Sequence, residues 1–147
     1  MTFRTILFPL DLAGASEHTI ALAASLAREQ EATLQLVYVL DEGRDFEAAA
    51  FTAIDPQTVS FHLREIQRLM TATAERAIAL GARAESHMVE GGPAWEMILH
   101  EATRVGADLI LMQTHGRKGL GRAVLGSVTE EVLRHASIPV LVVREPG

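Results

Sequence analysis

The chain is 147 residues long, 48% hydrophobic and 22% charged, with 19 acidic residues against 13 basic ones and no cysteine. That length suits one domain over residues 1–147, and the lack of cysteine excludes disulfides, iron–sulfur clusters and thiolate zinc sites. A net charge of −6 argues against nucleic acid as a partner, and the longest apolar run, six residues from Ile138 to Val143, is far below the roughly 20 that cross a bilayer.

The first element is expected over Phe3 to Leu10, a buried strand ending at Pro9-Leu10 and followed by Asp11 and a turn at Gly14. No export signal precedes it, so a cytoplasmic, reducing setting is expected. Ser16 is a suitable N-cap for a helix whose apolar stripe is Ile20, Ala23, Ala24 and Ala27. Leu34 to Leu40 is a second short apolar run, of the kind found where both faces of a parallel sheet are covered. Residues 41–56 are irregular and suggest a flap, with two exposed-looking aromatics at Phe46 and Phe51.

Helical spacing resumes from Gln57 to Leu80 through Leu63, Ile66, Met70, Ala74 and Ala77, and Gly81 stands where a helix should stop. Strand three is expected over Arg83 to Val89. Gly91-Gly92-Pro93 then opens a helix, with Pro93 at its first position and Trp95, Ile98, Ala102 and Val105 facing inward. Ala107 to Met112 is expected as strand four, Gly126 to Ala136 as a helix and Pro139 to Arg144 as the last strand, at an edge of the sheet. Five strands alternating with helices predict an α/β fold, an open and mostly parallel sheet with helices on both faces. In such sheets ligands bind beyond the carboxyl ends of the strands, where the strand order reverses.

Two strand ends carry chemistry. Asp11 follows strand one and is placed either to accept a ribose hydroxyl or hold a phosphate-bridging metal, or simply to cap the turn. After strand four, Gly116, Gly119, Gly121 and Gly126 fall within 11 residues, beside Arg117, Lys118 and Arg122 and without an acid from 113 to 127. Glycines let backbone amides approach an anion, and a helix opening at Gly126-Ser127 adds its free amides and dipole. The structural alternative is a capping box between Ser127 and Glu130. His115, inside the glycine loop, suits a hydrogen bond that orients the loop better than acid–base work, because no partner carboxylate or nucleophile is recognisable nearby. A P-loop, a Gly-x-Gly-x-x-Gly turn, a Gly-x-Ser-x-Gly elbow and a His-Glu-x-x-His helix are all absent from the sequence.

The segments Ile6-Leu7-Phe8-Pro9-Leu10-Asp11, Ala107-Asp108-Leu109-Ile110-Leu111-Met112, and Leu125-Gly126-Ser127-Val128-Thr129 through Ile138 to Val143 together resemble the universal stress protein family, across essentially the whole chain. The resemblance implies a nucleotide-binding, Rossmann-like α/β fold with strand order 3-2-1-4-5. It also implies a regulatory or stress-response binding module, in a family whose members divide into those that bind ATP and those that do not. The family's ATP motif is Gly-x-x-Gly, nine residues, then Gly-Ser/Thr. Here Gly116, the nine residues from Arg117 to Leu125, and Gly126-Ser127 match it, while Gln113 replaces the first glycine and Ala13 stands where a hydroxyl is frequent. A glutamine at that place must either turn its side chain elsewhere or intrude on the ligand.

By position, the resemblance implies phosphates among Gly116, Gly126, Ser127, Val128 and Thr129, with His115 in the same loop. Asp11 would meet the ribose, the backbone of Val39 the adenine, and Pro9 and Leu10 would form the floor. ATP is the expected ligand, with or without Mg2+, and hydrolysis is slow at most because no catalytic base is visible. A homodimer through Val140, Leu141, Val142 and Val143 is also implied, and an open apolar edge strand points the same way. Two other functions remain open: a non-nucleotide dimeric interaction module, and a small enzyme acting on a phosphorylated metabolite, for which no acid–base pair is evident.

Overall fold

The computed structural model describes residues 1–41, 55–114 and 125–145. Strand β1 (Thr5–Leu10) forms because Ile6, Leu7 and Phe8 are apolar on both faces, and all three are almost completely buried. The helix α1 (Glu17–Gln30) starts as the sequence predicts, with the Ser16 hydroxyl accepting the Thr19 N–H at 3.1 Å. Strand β2 (Thr33–Leu40) and helix α2 (Pro56–Ala79) follow. Asp55 caps α2 through the Gln57 N–H, and Gly81, at φ +94°, turns the chain away just beyond it. Then come β3 (Arg83–Glu90), α3 (Ala94–Val105), β4 (Leu109–Thr114), α4 (Ser127–His135) and β5 (Val140–Arg144). The flap expected at 41–56 falls almost wholly outside the described residues.

The five strands form one parallel sheet in the order β3-β2-β1-β4-β5, so β5 lies at an edge and the order reverses between β1 and β4. Alternation along the strands divides the core in two. Ile6, Phe8, Leu34, Leu36, Leu109 and Leu111 pack with α1 and α2, while Leu7, Val37, Ile110 and Met112 pack with α3 and α4. Glu101 of α3 is a buried charge, 2% exposed, and its carboxylate is met by His87 of β3 at 3.2 Å and by the Arg104 guanidinium. A buried carboxylate persists only with such partners.

Two boundaries differ from expectation. Strand β4 begins at Leu109 rather than Ala107: just ahead of it the Asp108 carboxylate accepts the backbone N–H groups of Arg4 and Thr5, while the Asp108 N–H donates to the Thr5 carbonyl at 3.0 Å. At its other end the strand pairs with β5 through Thr114 and so takes in Gln113, which the sequence places in a loop. Pro93 precedes the first helical position instead of filling it: its ψ of 155° is extended, as an N-cap requires.

Candidate functional site

A cavity of about 580 Å³ opens at the carboxyl ends of β1, β2 and β4, beside the reversal of strand order, and is bounded by the first turns of α3 and α4. That is within the range of small-molecule sites. Of the residues singled out from sequence, Pro9, Leu10, Asp11, Val39, Gly126, Ser127, Val128 and Thr129 all line it. His115 and Gly116, with Arg117, Lys118 and Arg122, lie outside the described residues. The structure adds lining residues that the sequence reading missed, among them Tyr38, Asp41, Ala94, Ile98 and Met112. Asp41 had a usable signal, since it directly follows β2; Ala94 and Ile98 needed knowledge of which helix covers the reversal point.

The register explains what β2 offers. β1 pairs with β2 only as far as Leu10 opposite Tyr38, whereas β2 runs on through Val39 and Leu40, paired with Val89 and Glu90 of β3. Thr33 donates its N–H to Arg4 on the β1 side at 2.9 Å, and the Leu40 carbonyl accepts from Gly91 on the β3 side. Peptide groups alternate along a strand, so those of odd-numbered Val39 face the β1 side, just where β1 leaves the sheet. The strand end presents backbone polarity to the cavity without any side chain.

Asp11 caps the turn and also lines the cavity. Its Oδ1 accepts the Ala13 N–H at 2.9 Å, and its carbonyl accepts the Gly14 N–H at 2.9 Å, so the residue shapes the β1–α1 turn while lining the cavity. Gly14 completes that turn at φ +71°, and a Cβ there would lie 2.9 Å from Leu69 Cδ1. Gly14→Ala is therefore expected to lower folding stability by about 2 kcal/mol, since the left-handed backbone alone costs an L-residue roughly 1–2 kcal/mol. Urea unfolding measures this, and an unchanged midpoint would contradict it.

The entrance to α4 is corrected by the structure. Gly126, not Ser127, is the N-cap, no side chain caps the helix, and the capping box of Ser127 and Glu130, the structural alternative open from the sequence, does not form. A capping side chain works from the non-helical position before the first turn, and Ser127 is already helical, so the Glu130 N–H bonds only the Gly126 carbonyl in the ordinary helical pattern. The first-turn residues Ser127, Val128 and Thr129 instead line the cavity. An uncapped helix N-terminus aimed into a cavity favours a bound anion. Among the described lining residues the charges are the carboxylates of Asp11 and Asp41, with no lysine or arginine. Within them, a phosphate has backbone amides to bind and the carboxylates suit hydroxyl or amino groups.

Gln113 also lines the cavity, and its carboxamide has a fixed partner in the β1–α1 turn. It shares the strand face of Leu109 and Leu111, that of α1 and α2, and its Nε2 donates to the Gly14 carbonyl at 2.7 Å. Its Nε2 is thereby tied to the β1–α1 turn. Among the described residues no group of three or more acidic or histidine side chains is arranged to hold a metal ion, and no helix is long and apolar enough to cross a membrane.

Residues 2–144 match the family described as the universal stress protein family. Universal stress protein MJ0531 of Methanocaldococcus jannaschii is 33% identical, over 98% of this chain and 84% of the relative. Among solved structures, that of hypothetical protein MJ0577 superposes with a TM-score of 0.78 at 26% identity, covering 100% of this chain and 99% of the other. A universal stress protein in complex with cAMP superposes with a TM-score of 0.71 at 23% identity, covering 99% and 100%. One from Archaeoglobus fulgidus in complex with dAMP gives 0.69 at 20% identity, covering 97% and 98%.

Proposed function

Because this chain belongs to the universal stress protein family, we propose that it is a single-domain, cytoplasmic module of stress regulation that binds an adenine nucleotide and hydrolyses it slowly at most. The observation that carries this reading is the cavity itself. It sets an uncapped helix N-terminus led by Gly126, the Asp11 carboxylate and the outlying backbone of Val39 around one space. Phosphate goes to the amides of Ser127, Val128 and Thr129, ribose hydroxyls to Asp11, and the adenine amino group to the Val39 carbonyl, over a floor of Pro9 and Leu10. His115 and Gly116, outside the described residues, extend the phosphate cradle to ATP, with Mg2+ supplied alongside the triphosphate. Relatives in complex with cAMP and dAMP support an adenine nucleotide as the ligand class. The protein acts as a homodimer joined along Val140, Leu141, Val142 and Val143 of edge strand β5.

A second reading, a dimeric interaction module without nucleotide, is favoured by the absence of any cationic side chain among the described lining residues. Calorimetric titration of the protein with AMP, ADP, ATP and GTP separates the two. Saturable binding of adenine nucleotides, with GTP weaker because guanine presents a carbonyl where adenine has its amino group, is the expected result. Absence of binding heat with all four at millimolar concentration leaves the interaction module.

A further inference from the structure

Two side chains far away in sequence converge on the turn between β1 and α1. Gln113, near the end of β4, donates from Nε2 to the Gly14 carbonyl at 2.7 Å. Glu145, the residue after β5, accepts at Oε1 from the Thr19 hydroxyl at 2.7 Å and from the Ser16 N–H at 3.4 Å. Thr19 is completely buried, and the Glu145 N–H donates to the Thr114 carbonyl at 3.2 Å, so this residue is held through its backbone as well as its side chain. It also stands at the N-terminus of α1, where the helix dipole favours a negative charge.

We propose that Gln113 and Glu145 are positioning residues for Asp11: together they clamp the β1–α1 turn so that the Asp11 carboxylate is held ready for the ribose of the bound nucleotide. The ligand named here rests on the function proposed above; the clamp does not. Inside the turn, among the described residues, short-range bonds from Ala13 and Gly14 to Asp11 hold the shape, and turns held locally open at little cost in free energy. The two long-range ties add a constraint from the other half of the chain. A ligand meeting a carboxylate already in place loses less affinity to ordering it. This also gives the glutamine at position 113 a role: a glycine there has no side chain to make the Gly14 tie.

The test uses the full chain and the variants Glu145→Ala, Glu145→Gln and Gln113→Met. Amide hydrogen exchange at Ala13 and Gly14, measured without nucleotide, is expected to quicken about tenfold or more in Glu145→Ala and Gln113→Met, for loss of one or two hydrogen bonds. Glu145→Gln, whose carboxamide oxygen still accepts, should restore slow exchange. Affinities for AMP and 2′,3′-dideoxy-AMP are then compared. Glu145→Ala should lose about tenfold for AMP and nothing for the dideoxy analogue, because only AMP has hydroxyls for Asp11 to hold. Unchanged exchange at Ala13 and Gly14 overturns the clamp whatever the nucleotides do. Faster exchange with equal losses for both ligands overturns the positioning role and leaves a purely structural tie. If the unaltered protein binds neither ligand, the nucleotide reading and the ribose role fall together, while the exchange data still decide the clamp. Should Gln113→Met fail to fold, the Glu145 pair carries the test.

Discussion

Gly126→Val should reduce affinity for adenine nucleotides more than 100-fold, a loss of about 2.7 kcal/mol in binding, while leaving the fold intact. Gly126 has φ +83° and ψ 153°, in a region of backbone space that is essentially reserved for glycine. A Cβ there would meet nothing within 4 Å among the described residues, so conformation rather than crowding demands glycine. Valine, stiff at its branched Cβ, would force the Gly126–Ser127 peptide to rotate. The Ser127 N–H would then turn away from the anion site, and a side chain would enter the cavity that Gly126 lines. The strain costs about 1–3 kcal/mol, so a modest fall in the urea midpoint should accompany the lost binding. Calorimetry with AMP reads the effect; affinity within threefold of the unaltered protein would show that the cradle is not built on this peptide.

In the homodimer proposed above, Val142→Asp is expected to release monomers, raising the dissociation constant at least 100-fold, about 2.7 kcal/mol of association. β5 bonds β4 in register, with Val142 opposite Met112, and its other edge has no strand partner in the sheet. Leu141, 37% exposed, leaves apolar surface on that edge. Two copies meeting there bury the open ladder, whereas a charge on each is brought into an apolar contact close to its like. Sedimentation velocity measures the change, with circular dichroism to verify folding. Leu141→Lys, at the more exposed position, tests the same edge if Val142→Asp misfolds. A dimer unaffected by either variant would place the interface on another surface.

Local pattern carried much of the architecture. Continuous apolar runs such as Ile6 to Phe8 and Leu34 to Leu40 were legible because a sheet covered on both faces needs them. Ser16 was legible because a capping hydroxyl acts within three residues of itself. What failed was whatever depended on partners far along the chain. Ala107 and Asp108 have the look of a strand, but the Asp108 carboxylate belongs to the amides of Arg4 and Thr5, 104 and 103 residues away. The same is true of Gln113, whose partner Gly14 is 99 residues off. Pro93 and Ser127 were each placed one step wrong in their helices, since composition does not reveal the ψ that distinguishes a cap from a first turn. The strand order came from family resemblance alone, because nothing local tells β4 to cross to the far side of β1. Without that order, Ala94 and Ile98 had no visible reason to share a cavity with Asp11.

Trp95, the sole tryptophan, stacks on His135 with ring centroids 4.5 Å apart and planes 23° from parallel. This joins the opening turn of α3 to the closing turn of α4, two helices whose first turns both border the cavity. The molecule thus carries an intrinsic optical gauge between these two helices: any tilt of one against the other alters the stacking of a single indole, and its emission reports that tilt with no attached dye.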